Sequence, residues 1–448
     1  MITRRKRIIY RNVLPVALIY SLIALTTSIS NHFSRIVANA PFDSELRSMD
    51  PSIVSFPTRE ERVKYYMGDW YNRTLHPHEI DCRGIRAANV LLSNVPVLMT
   101  AEWITSRENR TESADWRDRC YVRAAYDVIR ASGHATTTTY YDNGRIAVNE
   151  KNDITTIPPM RRFDRFILLI GDQQYPDPHL PVAVKTRYSR HAFDKSTNLP
   201  FFRNMIWPLN MKRHYDDLGR YKFLQYTGRV TKWEHKKETL IWRGAITGYG
   251  PNRANVAVRV ESDENGNVTS PSFPYGPRIH AVATYFHADT SVVDVAFPSN
   301  AELPRQPEIA KLVTPYLRNT HRSMREQLQF KYILSLEGND VATGLKWQML
   351  SNSVVFMTKP TIVSFFMEDL LVPFVHYIPV KEDLSDLVDM VMWARENDER
   401  VRWISEQATR FVKNVWDGRE ARRDFEFVKR ELGRAYFEQF YEAVRTCG

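Results

Sequence analysis

From residue 239 onwards, short apolar runs alternate with segments of helical periodicity. The apolar runs lie at 239–243, 292–297, 331–336, 353–357 and 376–380, and the helical patterns lie between them at 252–260, 321–329, 340–350 and 362–370. Strands that alternate with helices predict βαβ units, whose strands pair in parallel. This half of the chain is therefore expected to form a parallel sheet covered by helices.

The preceding segment has a mixed pattern. A helix-like stretch at 114–131 is followed by apolar strands at 165–170 and 181–186, and a charged connector at 232–238 marks a domain boundary. After the alternating part, the chain predicts three helices at 384–396, 398–415 and 419–443. The predicted fold class is α/β, with two Rossmann-like domains and a cleft between them: an N-terminal domain at 61–235 and a C-terminal domain with terminal helices at 236–448.

The N-terminus carries a candidate transmembrane helix. Residues 12–34 contain no charged side chain, and at about 1.5 Å per residue they would extend roughly 34 Å, enough to cross the hydrocarbon core of a bilayer. Cations cluster before this run, which predicts a cytosolic basic tail at 1–11, a signal anchor at 12–34 and a stem at 35–60. A cleaved signal peptide with its site near Ala38-Asn39-Ala40, or a buried N-terminal helix, are the alternatives.

This topology predicts a type II single-pass membrane protein whose bulk lies in the lumen of the Golgi or endoplasmic reticulum. Glycosylation sequons begin at Asn72, Asn109 and Asn267, as expected for a glycoprotein. Cys82 and Cys120 could form a disulfide in an oxidising compartment.

Composition excludes several functional classes. The chain has 62 basic and 52 acidic residues, a formal charge of +10, but five of the cations lie in the basic tail and the rest are dispersed, so nucleic acid is not an expected partner. Three cysteines in 448 residues exclude a disulfide-built scaffold and a zinc-finger array. No Asp-x-Asp, His-x-x-x-His or Cys-x-x-Cys occurs, so no metal site is expected.

Candidate catalytic and binding residues follow the two predicted strands of the N-terminal domain. Asp172 comes directly after the first strand, where a carboxylate would face the ligand crevice and could act as a general base; its alternative role is to cap the turn at 173–176. Lys185 and Arg187 close the second strand and share one face, towards a phosphate or an acidic sugar; the alternative is a solvated strand end.

Two loops of the C-terminal domain have the pattern of a phosphate cradle. The strand at 239–243 runs into a loop with Gly244 and Gly248, after which Arg253 opens a helix, so Arg243 and Arg253 could pair with an anion. The strand at 331–336 likewise ends in a glycine turn at 337–340. There Glu337 could accept ribose hydroxyls and Lys346 could balance a diphosphate, while Asp340 is expected to cap the following helix and His376 to serve packing.

These segments resemble glycosyltransferase family 90. The run KYILSLEGNDVATGLKWQMLSNSVVFM at 331–357 is similar to the core signature of that family. The continuations FFME at 365–368 and VHYIPVKEDLSDL at 375–387 are similar too, as are Trp242-Arg243-Gly244, Thr247 and Arg253. The resemblance extends over about 160–440.

The resemblance implies a GT-B fold and an inverting transfer from a UDP-sugar, UDP-glucose or UDP-xylose, to a glycan or glycoprotein hydroxyl. It implies no required metal and no cofactor, since the UDP-sugar is a substrate. Asp172 matches the catalytic base, and Arg243 and Arg253 would neutralise the departing UDP. The implied donor-binding residues are Arg243, Gly244, Thr247, Arg253, Glu337, Gly338, Asn339 and Lys346, with Lys185 and Arg187 on the acceptor or phosphate side.

One position separates this chain from the animal protein O-glucosyltransferases of the family. Those enzymes carry an arginine two residues before the lysine that corresponds to Lys346, and this chain has Gly344 there. The chain is closer to the lipopolysaccharide- and capsule-modifying branch. The non-enzymatic alternative is an inactive relative that binds a sugar nucleotide or a glycan in the secretory pathway.

Overall fold

The computed structural model describes the chain in segments. They are residues 56–79, 97–99, 124–125, 128, 131, 139–142, 145–148, 166–169, 181–189, 204–208, 211–249, 276–320 and 323–444. The described residues from Pro57 onwards belong to one compact unit. The predicted tail, anchor and most of the stem lie outside the described residues, as do Cys82, Cys120 and the sequons at Asn109 and Asn267.

Fifteen strands are found among the described residues. They are β1 (Val97–Met99), β2 (Thr139–Asp142), β3 (Arg145–Val148), β4 (Phe166–Leu168), β5 (Ala183–Val184), β6 (Thr186–Tyr188), β7 (Met205–Ile206), β8 (Lys237–Trp242), β9 (Val293–Val295), β10 (Phe297–Pro298), β11 (Leu317–Arg318), β12 (Phe330–Leu334), β13 (Val354–Met357), β14 (Ile362–Ser364) and β15 (Ile378–Pro379).

Nine α-helices accompany these strands in the described part of the chain. They are α1 (Arg59–Met67), α2 (Met211–Tyr226), α3 (Gly276–Tyr285), α4 (Pro307–Val313), α5 (Met324–Gln327), α6 (Leu345–Leu350), α7 (Leu387–Glu396), α8 (Asp398–Val415) and α9 (Arg419–Val444). Short 3₁₀ turns lie at Gly68–Trp70, Pro77–Glu79, Trp233–His235, Thr314–Tyr316 and Glu368–Leu370.

The C-terminal half contains a five-stranded sheet in the order β15-β13-β12-β8-β9. All four of its strand pairs are parallel, with Ile333 opposite both Val355 of β13 and Ile241 of β8. Every residue of the central strand β12 is buried, as expected for a strand covered by helices on both faces. The five predicted strands and their parallel pairing are confirmed.

A second, four-stranded sheet precedes the charged connector in sequence and has the order β1-β4-β5-β7. Its inner pairs β4–β5 and β5–β7 are parallel, and β1 is antiparallel to β4 at the edge. Outside the sheets, β2 and β3 form an antiparallel hairpin and β10 pairs with β11. The described residues therefore contain one sheet before the connector and one after it.

The predicted helix at 362–370 is wrong. Its first residues form β14, which pairs antiparallel with β6, so that Val363 lies opposite Arg187. The carboxylate of Glu337 accepts the backbone N–H groups of Thr361 (2.9 Å) and Ile362 (3.1 Å), which holds this segment extended. Two β-branched residues, Ile362 and Val363, favour the strand, and only the end of the segment forms a short 3₁₀ turn.

The C-terminal helices follow the apolar pattern that predicted them. In α8 the buried residues Val401, Ile404, Ala408 and Phe411 recur every three or four positions, the spacing of one helix face. The last helix, α9, crosses to the N-terminal part of the unit. There Tyr436 packs edge-on against Trp207 and its hydroxyl accepts the backbone N–H of Ile167 (2.9 Å).

Helix α1 begins with a capping box. The backbone N–H of Glu61 donates to the Thr58 hydroxyl, and the Glu61 carboxylate accepts the backbone N–H of Thr58. Beyond this helix, the side chain of Asn72 is exposed, so that sequon is accessible. Among the described helices, none has the length and apolar character needed to cross a membrane.

Candidate functional site

A cavity of about 910 Å³ lies at the carboxyl ends of β8 and β12. In parallel α/β sheets, ligands bind at this end of the strands. The walls come from the loops that follow the two strands and from helices α2, α5 and α6. Five basic and two acidic side chains line the cavity, and this excess favours an anionic ligand; they are Lys185, Arg220, Arg243, Arg278, Arg325, Asp217 and Asp340.

Two glycines allow the loops after β8 and β12 to touch. Gly248 has φ +79°, and a Cβ there would lie 2.7 Å from the carbonyl oxygen of Gly338. A Cβ on Gly338 would in turn lie 2.6 Å from the Thr247 hydroxyl. The backbone N–H of Gly248 donates to the Asn339 side-chain oxygen (3.0 Å). The loops therefore meet at a junction that side chains at either glycine would obstruct.

Arg278, which the sequence analysis did not single out, crosses this junction. From α3 its guanidinium donates to the carbonyl oxygens of Glu337 (3.1 Å), Leu336 (3.0 Å) and Ala245 (3.0 Å), and to the Thr247 hydroxyl (2.8 Å). One planar side chain thus binds the loop after β8 and the loop after β12 at once. No motif in the sequence marks this residue.

Arg243 lies in the cavity lining but is held by the protein. Its Nε donates to the Thr320 carbonyl (3.1 Å), Nη1 to the Trp242 and Asp294 carbonyls (both 2.8 Å), and Nη2 to the Asp294 carboxylate (2.8 Å) and the Thr320 hydroxyl (3.4 Å). Arg318 pairs with the same carboxylate. Burial lowers the pKa of Arg243, and Asp294 opposes that shift. The two arginines and one aspartate leave a net positive charge behind the cavity wall.

Other predicted donor-site residues lie near the cavity or behind it. Gly244, Thr247, Gly338 and Asn339 line it together with Arg243. Glu337 does not line it, because its carboxylate is turned towards Thr361 and Ile362.

Lys346 is buried behind the cavity wall, where its ammonium contacts Glu368 (3.3 Å). Burial lowers the pKa of Lys346, and the Glu368 carboxylate opposes that shift. Glu368 also accepts the backbone N–H of Ser364 (2.6 Å), so the pair joins α6 to β14.

Lys185 and Arg187, expected on one face, lie in different places. Lys185 lines the cavity and forms an ion pair with Asp340, and both side chains are buried. Arg187 lies deeper, where it donates to the backbone carbonyls of Tyr65 (2.5 Å) and Asn204 (3.1 Å). The expectation that Asp340 caps the following helix is wrong, because α6 begins after Gly344 and has no side-chain cap; Asp340 instead joins the two halves of the chain at the cavity wall.

Two predicted site residues, Asp172 and Arg253, lie outside the described residues. His376 packs against Phe411, and its Nδ1 accepts the backbone N–H of Val372 (2.9 Å). Burial lowers the pKa of His376 to about 4, in keeping with the packing role predicted for it. Among the described residues, no cluster of three His, Cys, Asp or Glu side chains has the geometry to hold a metal ion.

Comparison with known proteins shows which family the segment around this cavity matches. The model of glycosyl transferase family 90 matches residues 284–420. Residues 284–420 belong to glycosyl transferase family 90. This family 90 segment contains β12, the loop with Gly338 and Asn339, and the Lys346–Glu368 pair, whereas Arg243, Thr247 and Arg278 precede it.

Individual relatives support the same assignment. O-glucosyltransferase LpsA of Dichelobacter nodosus is 41% identical over 98 residues, which is 22% of this chain and 30% of the relative. Uncharacterized protein 179R of Invertebrate iridescent virus 6 is 26% identical over 194 residues, 41% of this chain and 16% of the relative. Protein O-glucosyltransferase 1 of Rattus norvegicus is 22% identical over 267 residues, 57% of this chain and 59% of the relative. In each case the match covers less than two thirds of the relative's own length.

Proposed function

We propose that this chain is an inverting glycosyltransferase. It would transfer glucose or xylose from a UDP-sugar to a hydroxyl group of a glycan or glycoprotein. The observation that carries the proposal is the 910 Å³ basic cavity at the carboxyl end of a parallel sheet, part of whose lining comes from the family 90 segment. Two relatives that are named O-glucosyltransferases add support.

The loop junction is the proposed site of the UDP moiety. Gly244 and Gly338 line the cavity beside this junction without side chains, so a nucleotide can approach the main chain closely. The excess of basic side chains around the cavity would stabilise the charge that develops on the UDP leaving group. Arg243 contributes charge to this field while its N–H groups hold the loop and Asp294 in place.

Asp172 is the proposed general base. It would accept the proton of the acceptor hydroxyl as that oxygen attacks the anomeric carbon from the face opposite UDP, which inverts the configuration. The two sheets on either side of the connector support a GT-B arrangement, in which the base and the donor site come from different domains. Metal-independent transfer and a lumenal type II topology remain parts of the proposal.

Gly344 bears on the acceptor. It lines the cavity, and a Cβ there would lie 3.1 Å from the indole nitrogen of Trp347 and 3.3 Å from the amide nitrogen of Gln348. An arginine, the residue that the animal enzymes carry at this position, would therefore require these side chains to shift. This difference favours a glycan over a protein serine as the acceptor.

The substitution Asp172→Asn tests the assignment of the base. The variant should lose transfer by at least 100-fold, since general-base catalysis typically contributes about 10²–10⁴-fold, yet bind UDP with unchanged affinity. Chelator should leave the turnover of the unmodified protein nearly unchanged. Full activity of the Asn variant would overturn the base assignment, and loss of activity with chelator would overturn the metal-independent mechanism.

A further inference from the structure

A second concave surface lies beside the first turns of helix α9. It has a volume of about 830 Å³ and is lined by five arginines around one aromatic ring: Arg59, Arg419, Arg422, Arg423, Arg430 and Phe427. We call it the arginine cleft. Its residues come from the start of α9 and the start of α1, so elements distant in sequence build it together.

The cleft has more positive charge than its neighbours neutralise. Arg419, Arg422 and Arg423 are exposed and have no hydrogen-bond or ion-pair partner for their side chains among the described residues. Two acidic residues also line the cleft, but each contacts a lysine: Asp417 pairs with Lys222, and Glu426 with Lys429 (2.8 Å).

Phe427 holds two of the arginines in position. The guanidinium of Arg59 lies 4.4 Å from the centroid of its ring and that of Arg430 lies 5.1 Å from it. Arg59 and Arg430 also contact carboxylates, the exposed Glu60 (3.0 Å) and the partly buried Glu431 (3.1 Å), and such pairs near the surface are weak. These contacts orient guanidinium groups before a ligand arrives, which reduces the entropy lost on binding.

Helix α2 contributes to the cavity and contacts the cleft. On α2, Phe223 lines the cavity and is 59% exposed, while the adjacent Lys222 reaches Asp417 in the cleft. Tyr226, one turn further on, is 92% exposed. A helix with its side chains is about 10–12 Å across, so a ligand of several sugar units could reach from one site to the other over these aromatic rings.

We propose that the arginine cleft binds the acidic stretch of an extended carbohydrate acceptor, whose reacting end lies in the cavity. The acceptor role rests on the proposed function, whereas binding of an acidic oligosaccharide does not. Carboxylate, sulfate or phosphate groups on the glycan would pair with Arg419, Arg422 and Arg423. The concave shape does not fit a flat bilayer, and the Phe427 ring is covered by guanidinium groups instead of being free to stack on nucleic-acid bases.

The test is binding of defined probes to the full-length protein. The probes are hexagalacturonate, neutral maltohexaose of equal length, a single-stranded oligothymidylate and vesicles containing phosphatidylserine. The cleft variant is Arg422→Gln/Arg423→Gln, and the matched control is Arg402→Gln/Arg434→Gln, which removes two exposed charges outside the cleft. Hexagalacturonate should bind at least tenfold more tightly than maltohexaose. The cleft variant should bind it at least tenfold more weakly, and the control should change its affinity less than twofold.

Several results would overturn the proposal. They are absence of hexagalacturonate binding, equal loss in both double variants, and tighter arginine-dependent binding of the oligothymidylate or the vesicles. UDP release from a UDP-sugar without acceptor separates this proposal from the proposed function, because the cleft variant should leave it unchanged. If UDP is released but hexagalacturonate binding does not depend on the cleft arginines, only the cleft proposal is refuted. If hexagalacturonate binding depends on them but no UDP is released, only the role of the cleft in glycosyl transfer is refuted.

Discussion

A substitution of Arg278 tests the role of the loop junction most directly. Replacing it with methionine keeps most of the side-chain volume and removes every hydrogen bond that joins the loops after β8 and β12 through this residue. We expect Arg278→Met to lower both the free energy of unfolding and the affinity for UDP, because the same contacts hold the fold and shape the proposed donor site.

The contacts set the size of the effect. The guanidinium donates to the carbonyls of Leu336, Glu337 and Ala245 and to the Thr247 hydroxyl at 2.8–3.1 Å. A hydrogen bond from a charged donor contributes about 1.5–3 kcal/mol when buried, but this group is only partly buried and water can reach the freed carbonyls. We therefore expect a loss of about 2–4 kcal/mol in stability. A tenfold to hundredfold weaker UDP affinity would account for about 1.4–2.8 kcal/mol of differential binding.

Urea denaturation and calorimetric titration with UDP measure the two quantities. Arg305→Gln is the matched control, since Arg305 is exposed and does not line the cavity; it should keep the stability of the unmodified protein and change UDP affinity by less than threefold. If Arg278→Met is destabilised but binds UDP within twofold of the unmodified protein, the loop junction does not shape the donor site.

Three further predictions concern buried groups. Burial lowers the pKa of Lys236 to about 7. Above that pH the folded protein has lost this proton while the unfolded chain still binds it, so the free energy of unfolding should rise with pH. Measured by urea denaturation between pH 7.5 and 9, this free energy should rise by about 2 kcal/mol more in the unmodified protein than in Lys236→Met. Glu368→Gln removes the carboxylate that the buried Lys346 ammonium contacts at 3.3 Å and should cost about 3–5 kcal/mol in the same assay, part of which Lys346→Met in the same chain should restore. Gly338→Ala places a Cβ 2.6 Å from the Thr247 hydroxyl and should cost about 1–3 kcal/mol in stability as well as weaken UDP binding; unchanged values in either assay would show that the loops can separate without penalty.

The parallel sheet of the C-terminal half was predictable from sequence because its strands are continuous apolar runs. Each of the five runs became a strand, although the third begins at Phe330 and the last shortens to Ile378–Pro379. The segment at 362–370 was mispredicted because its conformation is set by Glu337 and β6, which lie far away in sequence. Local periodicity carries no information about such partners.

The sequence predicted where the candidate site lies, but not which side chains contact one another there. Loop glycines after apolar strands pointed to ligand-binding loops, and Gly244, Gly338 and Asn339 line the cavity. The orientation of Arg243 could not be inferred, since its partner Asp294 is 51 residues away. Arg278 was missed because it lies in no motif; its role appears only when the two loops meet in space.

The most direct test of the central claim is UDP release by the full-length protein across a panel of nucleotide sugars, with chelator present. We expect slow hydrolysis of UDP-glucose or UDP-xylose, abolished by Asp172→Asn and strongly reduced by Arg278→Met. Absence of UDP binding, with the protein folded, would contradict the assignment of the cavity as a donor site.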